Sequence, residues 1–297
     1  MTTTTVDLDV TRKSAAIGAD IRGVDLREPL AAETAAVLRA LLLEHKVIFF
    51  PEQHLEPAQH VQFARAFGEL TPAHPVIPGL PGFPEIFQID YQYGRGSTDD
   101  SRDRNGGLDW HSDVTYMEKP PMGSILNAVV MPAAGGDTMW TNQHAAYEAL
   151  SDSMKDYLGT LTALHSGQKQ FGGLLSKRKN DKRSDDGNGA KWDGRPTELG
   201  PTAHPVIRTH PETGKRTIFV NPGFTQKIVQ LTGSESDALL AFLYAHSTRP
   251  EFVVRHHWHT GDLAFWDNRA TQHSVVGDYG REPRVIQRIT LHGDQPV

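Results

Sequence analysis

Between Ala31 and His45 the residues Ala35, Leu38, Leu42 and His45 recur at three- and four-residue intervals, so one stripe of a helix faces inward. Lys46 to Phe50 then reads as a short buried strand. A second helix is predicted to start at Glu56-Pro57, with proline at an early helical position, Phe63 and Phe67 on its inner side, and Gly68 ending it. From Tyr147 the spacing of Leu150, Met154, Leu158 and Leu161 predicts a third helix. Ser234 with Asp237 reads as the capped start of a fourth, carrying Leu239, Phe242 and Leu243. Elsewhere the apolar residues come in short, strand-like runs: Ile125 to Val130, Arg216 to Val220, Glu251 to Arg255, Asp262 to Trp266 and Val285 to Leu291. Strands at irregular spacing, with helices between some of them, predict a mainly β fold with flanking helices, an antiparallel sandwich or barrel rather than a doubly wound sheet.

There is no internal repeat. Two polar stretches, Gly94 to Gly107 and Ser176 to Arg195, read as long surface loops, and the strand-like pattern resumes after each, so residues 1–297 read as a single domain. The chain has 297 residues, 38% hydrophobic and 22% charged, which excludes a wholly disordered, collagenous or coiled-coil protein. Its net charge of -6 argues against nucleic acid or an anionic membrane as partner, so any anion site must be local. The absence of cysteine excludes disulfides, thiolate metal sites and cysteine nucleophiles, and a metal must use His, Asp or Glu. The start, Met1-Thr-Thr-Thr-Thr5, shows neither a basic nor an apolar targeting stretch, and runs such as Val47 to Phe50 fall far below the roughly 20 residues of a membrane span. A cytoplasmic protein is expected.

The sharpest local pattern is His111-Ser112-Asp113. On an extended strand residues two apart share a face, so an imidazole and a carboxylate aim at one point. The pair alone is common, but a second histidine, His273, closes the segment Trp266-Asp-Asn-Arg-Ala-Thr-Gln-His273. Two imidazoles and one carboxylate on one face of a metal leave further positions open, the arrangement that suits non-heme Fe(II) oxygenases. Arg284 and Arg288 follow, four apart and hence on one strand face. Two inward guanidiniums are costly to bury without anions, so they suggest anionic ligands; structural salt bridges or a solvated face satisfy the spacing equally. The histidines at 256, 257 and 259, and His45, His60 and His246, read as packed or solvated groups rather than ligands.

His111-Ser-Asp113, Gly135-Gly-Asp-Thr-Met-Trp140, His204-Pro-Val-Ile-Arg-Thr-His-Pro211, Phe219-Val-Asn-Pro-Gly-Phe-Thr225, Trp266 to His273 and Arg284 to Arg288 occur in the order and spacing of the taurine dioxygenase-like family of Fe(II)- and 2-oxoglutarate-dependent enzymes. The chain resembles that family from about Ile17 to Asp294. The resemblance implies a double-stranded β-helix (jelly-roll) core, Fe(II) held by His111, Asp113 and His273, and 2-oxoglutarate as cosubstrate with its distal carboxylate on Thr138 and Arg284. It further implies O2 and a small anionic organic substrate as partners, bound by His74 and Arg288 and flanked by Val114 and Phe224, in a homo-oligomer. Where taurine dioxygenase has a tyrosine and an asparagine in its pocket, this chain has Ile77 and Gly107, which removes polar groups. That change suits a larger, more apolar tail, and by the resemblance the expected substrate is an alkylsulfonate or alkyl sulfate. Hydroxylation beside sulfur or oxygen would release sulfite or sulfate, with succinate and CO2 as co-products. An aryloxyalkanoate is the alternative, and a jelly-roll protein that binds an anion without turnover is the reading from another class.

Overall fold

The computed structural model describes residues 8–90, 110–172, 191–192, 195–196, 198–280 and 282–297. The predicted loop from Gly94 to Gly107, and all but three positions of the one from Ser176 to Arg195, lie outside these residues. In chain order come β1 (Asp9–Arg12), β2 (Ala19–Arg22), α1 (Ala32–His45), β3 (Val47–Phe50), α2 (Pro57–Arg65), β4 (Phe87–Asp90) and β5 (Gly123–Val130). Next are β6 (Thr138–Asn142), α3 (Gln143–Glu148), α4 (Asp152–Leu158), β7 (Thr162–His165), β8 (Lys191–Trp192), β9 (Arg195–Pro196), β10 (Thr202–Pro205), β11 (Ile207–Thr209), β12 (Arg216–Ile218) and β13 (Thr225–Ile228). The helix α5 (Gly233–Ser247) precedes β14 (Val253–His256), β15 (Leu263–Asp267), β16 (Thr271–Val275) and β17 (Val285–Leu291).

One sheet has the order β1-β2-β3-β15-β5-β17-β4, antiparallel except for the β2/β3 pair. Its central strands are buried on both faces, which is why β3 reads Val-Ile-Phe-Phe without alternation. Ile48, Phe50, Ile125, Leu263, Phe265, Ile289 and Leu291 pack outward with Leu38 and Leu42 of α1 and Val61, Phe63 and Ala64 of α2. The alternate residues Val47, Phe49, Leu126, Ala128, Ala264, Trp266 and Ile286 pack inward with Trp140, Val254 and Trp258. That inward layer meets a second sheet, β14-β6-β16, with Trp140 edge-on to Phe49 at 5.4 Å and to Trp266 at 5.7 Å. Two antiparallel layers closed face to face with helices outside make the expected jelly roll. A further cluster joins α3, α4 and α5 to β7, β11, β12 and β13 through Ala146, Leu158, Ala163, Ile207, Ile218, Ile228, Leu240 and Leu243.

Two helix expectations need correction. The stripe from Tyr147 to Leu161 belongs to two helices: α3 stops at Glu148, and the Ser151 hydroxyl accepts the Met154 N–H to cap α4, a local hydrogen bond that competes with continuing the first helix. At α5 the capping box is Thr232 with Glu235, two residues before the expected pair, and the buried stripe is Ser236, Leu240, Leu243 and Ser247 while Phe242 is exposed. By contrast α2 begins as expected, Glu56 and Gln59 capping each other's backbone; Phe67, just past its end, packs on Phe63 at 5.1 Å. No helix among the described residues is long and apolar enough to cross a membrane.

The turn leaving β15 is tied by Asp267, which is fully buried. Its carboxylate accepts the Arg269 backbone N–H at 3.0 Å, two Arg269 guanidinium bonds at 2.9 Å, and His210 Nε2 at 2.8 Å. His210 Nδ1 accepts two backbone N–H groups, so the ring proton sits on Nε2 and points at Asp267. Burial opposes the Asp267 charge, but Arg269 and His210 outweigh it and hold the carboxyl far below the usual carboxylate range. Asp267→Asn removes the fully buried one of the two carboxylates on Arg269, Glu212 at 2.7 Å being the other, and is expected to cost about 1.5–3 kcal/mol in urea unfolding. The parent should lose this stabilisation as pH falls below about 4, because the unfolded carboxyl then binds protons that the folded one refuses. A loss under about 1 kcal/mol would show that the cluster is not a tie.

Candidate active site

His273 is the third residue of β16, and its backbone pairs with that of His111: His111 N–H donates to His273 O at 3.0 Å and His273 N–H to His111 O at 2.8 Å. This two-residue bridge sets the rings 4.2 Å apart, centroid to centroid. Asp113 joins them by a different route from the extended strand that the spacing predicts. It lies in a turn, and the next residue, Val114, has φ of +53°, a left-handed conformation that a β-branched side chain rarely adopts. Asn268 holds that turn in place. Its Oδ1 accepts the Asp113 N–H at 2.6 Å, and its Nδ2 donates to Asp113 O at 3.0 Å and Pro121 O at 3.1 Å.

The Asp113 carboxylate then accepts the Ser124 hydroxyl at 2.6 Å through Oδ2 and the Arg288 guanidinium through Oδ1. Both partners come from inward-facing positions of the large sheet, on β5 and β17. His111 Nε2 and His273 Nε2 stand 3.8 and 4.0 Å from the same Oδ1. Among the described residues, His111, Asp113 and His273 are the only group whose ligand atoms converge in this way, all within 4.8 Å of one another and all buried. Burial opposes ionisation of Asp113, yet Arg288, His273, His111 and Ser124 hold it down to about 2; burial itself pushes His273 down to about 3. A charged carboxylate and a neutral imidazole are the protonation states a metal requires of its ligands, so the donor set fits Fe(II).

Arg284 lies just before β17 and is fully buried; a register shift between Val285 and Ile286 separates its direction from that of Arg288. The two arginines therefore serve different neighbours rather than one shared face. Arg284 Nε donates to Gly136 O at 3.1 Å, and its guanidinium lies 5.8 Å from the Tyr279 ring centre. Gly136 N–H donates to Asp278 Oδ1 at 2.9 Å, and a Cβ on Gly135 would lie 2.6 Å from that oxygen, so the chain passes too close for any side chain there. Thr138 opens β6, and its hydroxyl accepts Trp258 Nε1–H at 2.9 Å, which leaves its own O–H to donate. A buried guanidinium and a hydroxyl donor fit the distal carboxylate of 2-oxoglutarate.

His74 is buried and Nδ1 accepts the N–H groups of Val76 and Ile77 at 3.0 and 3.2 Å, so Nε2 carries the ring proton. Burial, then the Arg288 charge, push it down to about 3, and the ring is a neutral donor. It lies 5.2 Å from the Phe87 ring, over which Arg288 stacks at 5.3 Å. Val114 and Phe224 belong to a buried apolar cluster with Val76, Tyr116 and Leu199, against which Ile77, Met117 and Phe171 pack. Phe224 is edge-on to His111 at 5.8 Å, which puts this wall beside the three converging ligands.

Every predicted site residue is among the described residues; Gly107 is not. His256 stacks on Phe49 and His257 bonds Asp137, so that histidine run is packing and surface pairing. Ser124, Asn268, Trp258 and Phe87 carry contacts that no local motif signals, though a tryptophan inside the polar run 255–259 is a hint of an inward position.

The chain matches the family model described as taurine catabolism dioxygenase TauD, TfdA family, over residues 9–290. An alpha-ketoglutarate-dependent sulfate ester dioxygenase from Pseudomonas putida is 39% identical over 98% of this chain and 92% of its own length. An alkylsulfatase from Acinetobacter baylyi is 37% identical over 98% of this chain and 86% of its own. A solved structure of a taurine dioxygenase from Burkholderia xenovorans superposes with a TM-score of 0.77, at 38% identity, covering 98% of this chain and 92% of that one.

Because Asn268 orients Asp113 without touching the metal position, Asn268→Ala should keep the fold and weaken Fe(II) or Co(II) binding by about 10- to 100-fold in an anaerobic titration. Unchanged affinity would remove Asn268 from the site.

Proposed function

The chain belongs to the taurine catabolism dioxygenase TauD, TfdA family and is a 2-oxoglutarate-dependent non-heme iron dioxygenase, and from that premise we propose that it oxidises an alkyl sulfate or alkylsulfonate at the carbon bearing the sulfo group. The observation that carries the substrate is the pairing of two buried cationic or neutral donors, Arg288 and His74, with an apolar wall from Val76 to Phe224. Arg288 Nε is buried with no hydrogen-bond partner among the described residues, a donor left for a ligand oxygen. Each methylene of an alkyl tail placed on the wall is worth about 0.8 kcal/mol. The names of the relatives at 39% and 37% identity support a sulfo head group.

In this reading His111, Asp113 and His273 hold Fe(II), Arg284 and Thr138 hold the distal carboxylate of 2-oxoglutarate, and His74 and Arg288 hold the substrate anion between Val114 and Phe224. Fe(II) with 2-oxoglutarate supplies the activation of O2, one oxygen atom ending in succinate as CO2 leaves and the other as a hydroxyl on the substrate carbon. Ser124 and Asn268 keep Asp113 oriented, and Arg288 offsets its charge while its fork reaches the substrate. Anchoring the head group sets which carbon faces the metal. A carbon bearing both hydroxyl and sulfate loses hydrogen sulfate and leaves an aldehyde; the sulfonate analogue loses hydrogen sulfite. The site draws on residues from His74 to Arg288, which supports one domain over 1–297.

Succinate formation with pentyl sulfate, pentanesulfonate, taurine and phenoxyacetate tests the reading. We expect kcat/KM for the first two to exceed taurine by about tenfold or more, since several methylenes gain contact. Phenoxyacetate as the best substrate would transfer the site to aryloxyalkanoates, and no succinate with any of them would leave a binding protein. Arg284→Ala should raise the 2-oxoglutarate KM by about tenfold or more, through loss of a charge-assisted pair. An unchanged KM would move that role elsewhere.

A further inference from the structure

Among the described residues Tyr116 is the one hydroxyl-bearing side chain in the apolar wall beside the three converging ligands, and it is 1% exposed. Its ring is fixed on several sides. Phe224 packs edge-on at 5.2 Å, Phe171 lies at 6.1 Å, and a Cβ on Gly167 would sit 2.9 Å from a ring carbon, so that position admits only glycine while the ring stays where it is. The hydroxyl is buried and has no hydrogen-bond partner among the described residues. Folded proteins satisfy nearly all buried polar groups, so an orphan held this firmly beside the converging ligands is a donor open to a ligand atom.

The neighbouring rings connect Tyr116 to the two anion-site donors. Arg288 stacks on Phe87, His74 lies 5.2 Å from Phe87 and 4.7 Å from Phe171, and Tyr116 lies 6.1 Å from Phe171 in turn. Burial raises the phenol pKa, so the group keeps its proton and acts as a donor; the Arg288 and Asp113 charges are the ones it feels. We propose that the Tyr116 hydroxyl donates to an oxygen of the substrate's sulfo group, completing with His74 and Arg288 a three-donor set that selects a tetrahedral head with three terminal oxygens over a planar carboxylate. This rests on the alkyl sulfate or sulfonate reading. It adds the discriminating group: His74 and Arg288 serve the two oxygens of a carboxylate as well, whereas the third oxygen of the tetrahedral anion offers the Tyr116 hydroxyl an acceptor of its own.

The test is anaerobic calorimetry of the Fe(II)- and 2-oxoglutarate-loaded enzyme with pentyl sulfate and hexanoate, in the parent and in Tyr116→Phe. The variant should bind pentyl sulfate about tenfold or more weakly and hexanoate within about threefold of the parent. Removing an orphan hydroxyl should leave the Tm of the ligand-free protein unchanged or higher, the opposite of what a packing role requires. Pentyl sulfate affinity within about twofold of the parent overturns the proposal. So does equal weakening of both anions with a lowered Tm. A parent that binds hexanoate but not pentyl sulfate, or neither, overturns the sulfo reading itself and this inference with it.

Discussion

The two backbone hydrogen bonds between His111 and His273 are the contact on which the site depends. They join a turn to the middle of β16, and because β16 pairs with β6, the same register puts Trp140 opposite His273 and Thr138 opposite Val275. The larger sheet then contributes through strand alternation. Its inward positions are apolar where they meet Trp140 and polar where they reach the metal ligands, so Ser124 and Arg288 occupy places equivalent to those of Leu126 and Ile286. A slip of one residue in β17 would send Arg288 outward among Ile289 and Leu291 and bring an apolar group to Asp113.

The buried carboxylates Asp113 and Asp267 stay charged because each answers a guanidinium and an imidazole. Asp113 is surrounded by Arg288, two imidazoles and the Ser124 hydroxyl; Asp267 is surrounded by Arg269 and His210. An unpaired carboxylate at either place would take up a proton. The first pair keeps a carboxylate deprotonated where two imidazoles converge and holds a guanidinium over the Phe87 ring. The second only ties the turn between β15 and β16, and that turn carries Asn268, which grips the Asp113 backbone. The structural carboxylate Asp267 thus stands next in the chain to Asn268, which orients Asp113, and the net charge of -6 says nothing about either carboxylate.

Aromatic rings perform the spacing. Phe87, His74, Phe171, Tyr116 and Phe224 follow one another at 4.7–6.1 Å beside the three converging groups. Stiff side chains with two torsions hold polar tips in place at little entropic cost, which a wall of long flexible residues would not do. Ile77 packs against this wall, consistent with its replacing a polar group by an apolar one.

Much of this was legible along the chain. The helix α1 and the start of α2 follow from a period of 3.6, and the strands β5, β15 and β17 from short apolar runs between turn residues, all properties of neighbouring residues. The sequence singled out His111, Asp113 and His273 through a His-x-Asp pair, a distant histidine and the order of the family-like motifs around them, and the structure brings the three together. The break at Leu150 was not, because the hydrophobic stripe continues through it and only the Ser151 cap ends the helix. Nor were Asn268 and Ser124, since Asn268 meets Asp113 across 155 residues and Ser124 meets it only because β5 turns that position inward. Arg284 and Arg288 look alike by spacing, and the bulge at Val285 separates them. Residue type and local period determine which chemistry the chain carries and which segments are strands or helices. Strand register, bulges and turns between distant segments decide which of those groups meet, because a hydrogen bond depends on ångström-scale placement that no local pattern encodes.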